Sequence, residues 1–346
     1  MLDNLKLITT NQIIIKRLAH HPAFKSYKHK NNNYAGFCAF GNLMRLDFRK
    51  SIENGVLVGY HHLEIVISPH YHFNKYNHNG NDFTPTNSIK SIIDILSYIN
   101  IAKTEFNSLQ VVNIEFGINI IPKASVKDIV TGLLFHKKAA FIINNFPYSK
   151  ITQATNYKQI KAYAKGLQFI NTPEYNITPN TFRFEVKSKQ AKNIRKYGIN
   201  TVNDLLRIEI YDKLAQELIN EWENILLINI DPDVSNLKLN EEKDINKRKD
   251  IAFWNDLIQN FHRDKFTREK TKYYKALKGR NNLHLQVKMQ IIDKLYSFLN
   301  VANSTQKTLI KSENLKTDIH YPIPINLEYA TMLQNNKSIN ICSYTK

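Results

Sequence analysis

Residues 159–165 read Gln159-Ile160-Lys161-Ala162-Tyr163-Ala164-Lys165, the alternation of a half-buried strand. Successive side chains point to opposite sides of a strand, so Ile160, Ala162 and Ala164 share one face while Lys161, Tyr163 and Lys165 share the other. Three more stretches carry the same two-residue period: Leu63-Glu64-Ile65-Val66-Ile67, Val111 to Ile120, and Phe182 to Lys187. In each, a lone acid stands between apolar neighbours: Glu64, Glu115 and Glu185. If these strands neighbour one another, the polar face of their sheet collects three carboxylates, a tyrosine and lysines.

Outward from these strands, Ser88 to Ile101 and Ser125 to His136 have the spacing of packing helices. From about Asn203 the pattern changes. Asp212 to Leu227 is amphipathic at helical spacing, with Trp222 among its aliphatic residues. The charged stretch Asn240 to Asp250 suits a loop or an exposed helix start, and helical segments follow at Ile251 to Lys278 and Asn282 to Asn300. The remainder, from Val301, is polar and carries Pro322 and Pro324. Trp222 and Trp254 read as core residues. The fold class expected is mixed α+β: an antiparallel-rich sheet with packing helices, followed by a helical C-terminal domain. The corresponding division is 1–210, 211–300 and a tail, 301–346.

The chain has 346 residues, and 48 Lys+Arg against 30 Asp+Glu give a net charge of +18. A hydrophobic fraction of 42% with 18 Tyr and 18 Phe excludes a disordered chain. Cys38 and Cys342 lie too far apart in sequence to suggest a disulfide framework or a zinc knuckle. No apolar run approaches the ~18 residues of a membrane span, and MLDNLKLITT does not read as a signal peptide. The expectation is a soluble, cytoplasmic protein. The charge suits a nucleic-acid partner, since Lys and Arg gain affinity by displacing counterions from phosphates. A coding bias toward Asn, Ile and Lys competes as an explanation, but it would favour Glu too, and acids are not abundant. No long basic amphipathic helix points to a membrane surface.

The polar-face set suits phosphodiester cleavage by covalent catalysis. Carboxylate oxygens hold Mg²⁺ or Mn²⁺, hard cations that polarise a scissile phosphate. Tyr163 is placed to attack phosphorus and stay attached to the 5′ phosphate, with Lys165 lowering its pKa or stabilising charge on the pentacovalent state. The ordinary alternative is a sheet with one solvated face.

Four stretches, in order, resemble the gene II type replication initiators of filamentous phages, which nick and rejoin DNA in rolling-circle replication. Leu63-Glu-Ile-Val-Ile-Ser-Pro69, running on to Asn77-His-Asn-Gly80, is similar to that family's V-E-I-x-x-S-P stretch with its later Asn and Gly. Val112-Asn-Ile-Glu-Phe116 is similar to the R-I-D strand, and Lys161-Ala-Tyr-Ala-Lys165 to the Y-x-K segment. Phe182-Arg-Phe-Glu-Val186, trailing into Lys196-Tyr-Gly-Ile199, is similar to the R-F-E strand and the basic helix after it. The resemblance covers about residues 60–206. It departs at Asn113, where the family tends to have Arg, at Glu115 in place of Asp, and at Gln168 in place of Glu. It implies Tyr163 as nucleophile, Glu115 and Glu185 at a metal, and Glu64 as a third candidate. It further implies a phage, plasmid or integrated element whose origin DNA, supercoiled or single-stranded, is the partner. No Gly-x-x-x-x-Gly-Lys-Ser/Thr loop occurs, so helicase and polymerase would come from the host.

His70-Tyr-His72 reads as His–hydrophobic–His, a metal motif of other tyrosine nickases, but its His- and Asn-rich surroundings suit a polar loop or DNA contact better. Asn79-Gly80-Asn81-Asp82 is a turn signal. Two basic segments suit DNA contact. Lys187, Lys189, Lys192, Arg195 and Lys196 follow Glu185 directly. Arg263, Lys265, Arg268, Lys272 and Lys275 belong to a helical stretch with Tyr273 or Tyr274 available for stacking on a base. Two further classes compete with a nickase: a non-catalytic origin-binding or regulatory protein, and an RNA-binding protein with a stacking sheet.

Overall fold

A computed structural model describes residues 1–313 except 153, 154, 156, 236 and 278–280. Expectations for Pro322, Pro324, Cys342 and the rest of 314–346 lie outside the described residues. The chain begins with β1 (Leu2–Thr9), α1 (Gln12–Ala19), β2 (Lys25–Tyr27), β3 (Tyr34–Ala39), β4 (Met44–Glu53) and β5 (Val56–Ile67). Next come α2 (Pro69–Phe73), α3 (Pro85–Tyr98), β6 (Gln110–Ile120), α4 (Val126–Gly132), β7 (Leu133–His136), β8 (Ala139–Asn144) and β9 (Phe146–Thr152). β10 (Lys158–Ala164), β11 (Phe182–Ser188), α5 (Ala191–Arg195), α6 (Ile208–Glu223) and β12 (Ile225–Leu227) complete the sheet and its cover. α7 (Leu239–Lys249), α8 (Ile251–Asn260), α9 (Arg263–Ala276) and α10 (Leu283–Glu313) follow.

The strands form one sheet in the order β12-β7-β8-β9-β10-β11-β6-β1-β5-β4-β3-β2, with antiparallel pairing throughout. The mixed α+β class with an antiparallel sheet and a helical C-terminal stretch is therefore the fold. Local signals start the helices: Asn11 caps α1, Thr84 caps α3 ahead of Pro85, and Asp250 caps α8, each side chain accepting from a first-turn N–H.

Leu5, Leu7, Ile65, Ile114, Phe116, Ile160, Ala162, Phe184 and Val186 fill one face of the sheet. α1, α3 and α6 lay their apolar stripes against this core, and Trp222 of α6 meets Phe184 edge-on at 5.2 Å. Leu283, Val287, Ile291 and Leu295 of α10 join the same cluster. A smaller core gathers Leu226, Ile245, Trp254, Phe266 and Tyr273 from β12, α7, α8 and α9.

Three helical expectations change. The helix expected to reach His136 ends at Gly132, and 133–136 becomes a strand. The apolar run Leu133-Leu134-Phe135 satisfies its backbone better between β8 and β12 than in a further helical turn. The helix expected to reach Leu227 likewise ends at Glu223. The segment expected as one helix from Ile251 is two, α8 and α9, parted at Phe261 and His262, while the charged stretch from Asn240 takes the helical one of its two readings, as α7.

A buried ionic network ties α6 to the sheet. Glu221 Oε2 lies 2.5 Å from His136 Nε2, Lys158 Nζ donates to Glu221 Oε1 at 2.6 Å, and Lys158 also pairs with Glu217. Burial alone would raise Glu221, but hydrogen bonds from His136 and Lys158 pull it well below the usual carboxylate range. Burial lowers His136 from 6.5 despite its bond to Glu221. Both groups bind protons more readily unfolded than folded, so their stabilisation is full above their unfolded pKa values and drains as pH falls. The urea midpoint is expected to fall from about pH 6.5 downward, with a second loss below about pH 4.5. Glu221→Gln should shrink the second step, which it shares with Asp3 and Glu115; a variant with an unchanged acid limb would contradict this.

Candidate active site

The face opposite the core carries the chemistry, and register sets it. Lys161 is paired with Glu185, Tyr163 with Arg183, Glu185 with Gly117, Lys187 with Glu115, and Glu115 with Asn4. Gly117 matters here because a Cβ on it would lie 2.5 Å from Phe184 O and 2.7 Å from Glu185 Cγ. Its missing side chain lets Glu185 lie across β6 toward β1.

Asp3, Glu115 and Glu185 form a buried cluster able to coordinate a metal ion, one oxygen from each lying within 4.8 Å of the others. Glu185 divides its oxygens. Oε1 accepts from Tyr163 Oη at 2.7 Å and from Arg183 Nε, whereas Oε2 is buried without a hydrogen-bond partner, 3.4 Å from Lys161 Nζ. An all-oxygen donor set with one buried oxygen that lacks a hydrogen bond suits a metal ion. Lys161 donates to Glu115 Oε1 at 2.6 Å, and Lys187 lies 3.1 Å from Glu115 Oε2. Arg183 links Glu185 to Asp3 and donates to Asn119 Oδ1 at 2.7 Å.

Burial favours the neutral carboxyl, and the neighbours then sort the three acids. For Asp3, Arg183 and His70 overcome burial and hold the group well below the usual range; Lys161 and Lys187 do the same, more weakly, for Glu115. For Glu185 burial prevails and the pKa rises. Burial, then the Glu185 charge, pushes the Tyr163 phenol far above its ordinary value. Tyr163 is 8% exposed.

Glu115, Glu185 and Tyr163 meet as their alternation implied. Lys165 comes with them by another route: the strand stops at Ala164, and Lys165 opens a 3-10 turn, Lys165–Phe169. Its Nζ lies 5.4 Å from the Tyr163 ring centroid and donates to Asn79 Oδ1 at 2.5 Å. Burial, then Arg183, brings this amine down to about 8. Glu64 shares the polar face but not the cluster. It sits opposite Ile8, about 13 Å along β5 from Ser68, the residue beside Asn4, and pairs with Lys6 and His62.

Asp3 takes the place expected for Glu64. β1 is bulged between Leu2, opposite Phe116, and Asn4, opposite Glu115, so the extra residue turns to the polar face outside the alternation. His70 and His72 lie on α2, not in a loop, and two residues apart on a helix they diverge. His70 is buried, with Nδ1 3.0 Å from Asp3 Oδ1 and Nε2 2.9 Å from Asn81 Oδ1; His72 meets Tyr76. Arg183, buried at the centre, stood in plain view beside Glu185, but a strand pattern carries no signal of what a buried arginine pairs with.

The basic segments separate. Lys187 and Lys189 border the cluster. Lys192, Arg195 and Lys196 are exposed around α5, whose Ile194 packs into the core on the opposite side of the sheet. On α9, Arg263, Arg268, Lys272 and Lys275 are exposed, while Lys265 stands 3.1 Å over the Phe261 ring. Tyr273 and Tyr274 are not free to stack on a base. Both pack in the smaller core, and their hydroxyls accept from the backbone N–H groups of Asn229 and Leu227. Among the described residues no helix is long and apolar enough to cross a membrane.

No family model and no curated protein matches the chain.

Proposed function

We propose that the protein is a metal-dependent DNA nicking and rejoining enzyme of the rolling-circle type, with Tyr163 as nucleophile. One observation carries the reading: Tyr163 Oη bonds to the Glu185 oxygen opposite the unpartnered one, within a cluster of three carboxylates. Asp3, Glu115 and Glu185 would hold Mg²⁺ or Mn²⁺, which supplies polarisation of the phosphate and offsets its developing charge. Glu185 Oε1 accepts the phenol proton as Oη bonds to phosphorus and the bond to the 3′ oxygen breaks. The products are a 5′-phosphotyrosine and a 3′ hydroxyl, whose proton Lys165 is placed to donate. Rejoining reverses each transfer. Origin DNA, single-stranded or supercoiled, is the substrate, and the host supplies helicase and polymerase.

A second reading, a non-catalytic origin-binding protein, draws on charge balance. Arg183, Lys161 and Lys187 already pair with the three acids, so the cluster can be neutral without a cation.

Supercoiled circular DNA bearing the neighbouring genomic sequence separates the two. The nickase reading expects open circles with Mg²⁺ or Mn²⁺ and none with EDTA. Intact supercoils despite tight, salt-sensitive binding would establish the second reading.

A further inference from the structure

At the β2–β3 edge of the sheet, away from the central carboxylates, a cleft of about 270 Å³ opens among Tyr27, Lys28, His29, Asn32, Tyr34 and Lys50. Its lining draws on both sides of the sheet at this edge: Tyr27 and Gly36 are in register with Asp47 and Glu64 on the polar side, whereas Ser26, Ala35 and Phe37 are in register with Leu46 and Phe48 on the core side. Four strand spacings separate β3 from β6, about 19 Å.

Aromatic rings line the cleft. His29 and Tyr34 pack on each other at 4.9 Å with a 30° tilt, so a base would stack on an outer ring face, and Tyr27 stands 6.2 Å from His29. Gly36 makes this possible: a Cβ there would lie 2.6 Å from the Tyr27 ring, which instead crosses the strand to bond Asp47. Lys50 Nζ donates to Asn32 O at 3.0 Å and keeps two further N–H donors. From Lys25 to Lys50 the chain carries six Lys or Arg against one acid, Asp47, which Tyr27 covers. Aromatic faces beside unopposed lysines match an unpaired base with flanking phosphates, because every base has a face to stack and every nucleotide a negative charge.

We propose that this cleft binds an unpaired base of single-stranded DNA, with Lys28 and Lys50 on the adjoining phosphates. The site is separate from the central carboxylate cluster and adds a second hold on the strand, at the edge of the same sheet.

Anisotropy of a fluorescein-labelled 20-nucleotide single strand and of its duplex, at one fixed salt concentration, tests it. Tyr34→Ala is expected to weaken single-strand binding about 5- to 150-fold, the range for losing one stacked base, with duplex binding within about twofold. Tyr34→Trp should restore affinity. His29→Ala, on the connection between β2 and β3, should act in the same direction and carries the test if Tyr34→Ala melts early. Single-strand affinity unchanged in both alanine variants, or equal loss for the duplex, would overturn the proposal. Tyr163→Phe keeps the two readings apart, since the cleft predicts unaltered strand affinity there whatever happens to nicking.

Discussion

Tyr163→Phe is expected to lose at least about 10³-fold in nicking, together with all protein attached to the 5′ end of the product. The substitution removes one oxygen and leaves the ring in place beside Lys165. Glu185 Oε1 keeps the Arg183 Nε bond, so no charge is stranded. Stability should therefore change by only about 1 kcal/mol, the net worth of one hydrogen bond. Strand binding should persist. The measurement is a supercoiled nicking assay with protease treatment of the product, run beside a denaturation curve. Cleavage surviving in a folded Tyr163→Phe protein would leave a nuclease but remove the tyrosine mechanism. Because burial and Glu185 keep the phenol protonated at neutral pH, attack needs the proton to leave as the bond forms. Glu185→Gln should consequently be nearly as inactive as Tyr163→Phe, with the same loss of adduct.

Arg183→Met is expected to cost about 3–5 kcal/mol of folding stability, the usual penalty for breaking a buried ion pair from one side. Arg183 is 2% exposed and serves Asp3, Glu185 and Asn119 together. Its removal leaves two buried carboxylates whose remaining partners, His70 for Asp3 and Lys161 and Tyr163 for Glu185, do not replace a guanidinium. The penalty should depend on pH. Arg183 holds Asp3 below its unfolded value, so this stabilisation is present above about pH 4 and drains as pH falls. The gap between wild type and Arg183→Met in urea midpoint should narrow below about pH 4. A loss under about 1 kcal/mol at neutral pH would mean that the acids are held mainly by other groups.

Alternation made Glu115, Lys161, Tyr163 and Glu185 legible, because side-chain direction in a strand is a property of the strand itself. The same rule grouped Glu64 with them and passed over Asp3. Both errors are non-local. Glu64 is separated from the cluster by β1 and by four residues of register, and Asp3 enters through a bulge that exists only where β1 meets β6. The helices 126–132 and 208–223 were readable as helices but not where they stop, since pairing with strands distant in sequence ends each of them.

By itself the sequence determined a basic α+β chain whose strands bury one face and keep carboxylates, a tyrosine and lysines on the other. Strand order, register and bulge were decided by the tertiary structure alone. They brought residue 3 beside residues 115, 183 and 185, set Gly117 under Glu185, and put the Tyr34 cleft at the edge of the same sheet. The physical reason is range. The two-residue period follows from the geometry of a single strand, whereas which strands adjoin depends on burying every apolar face and pairing every backbone donor at once.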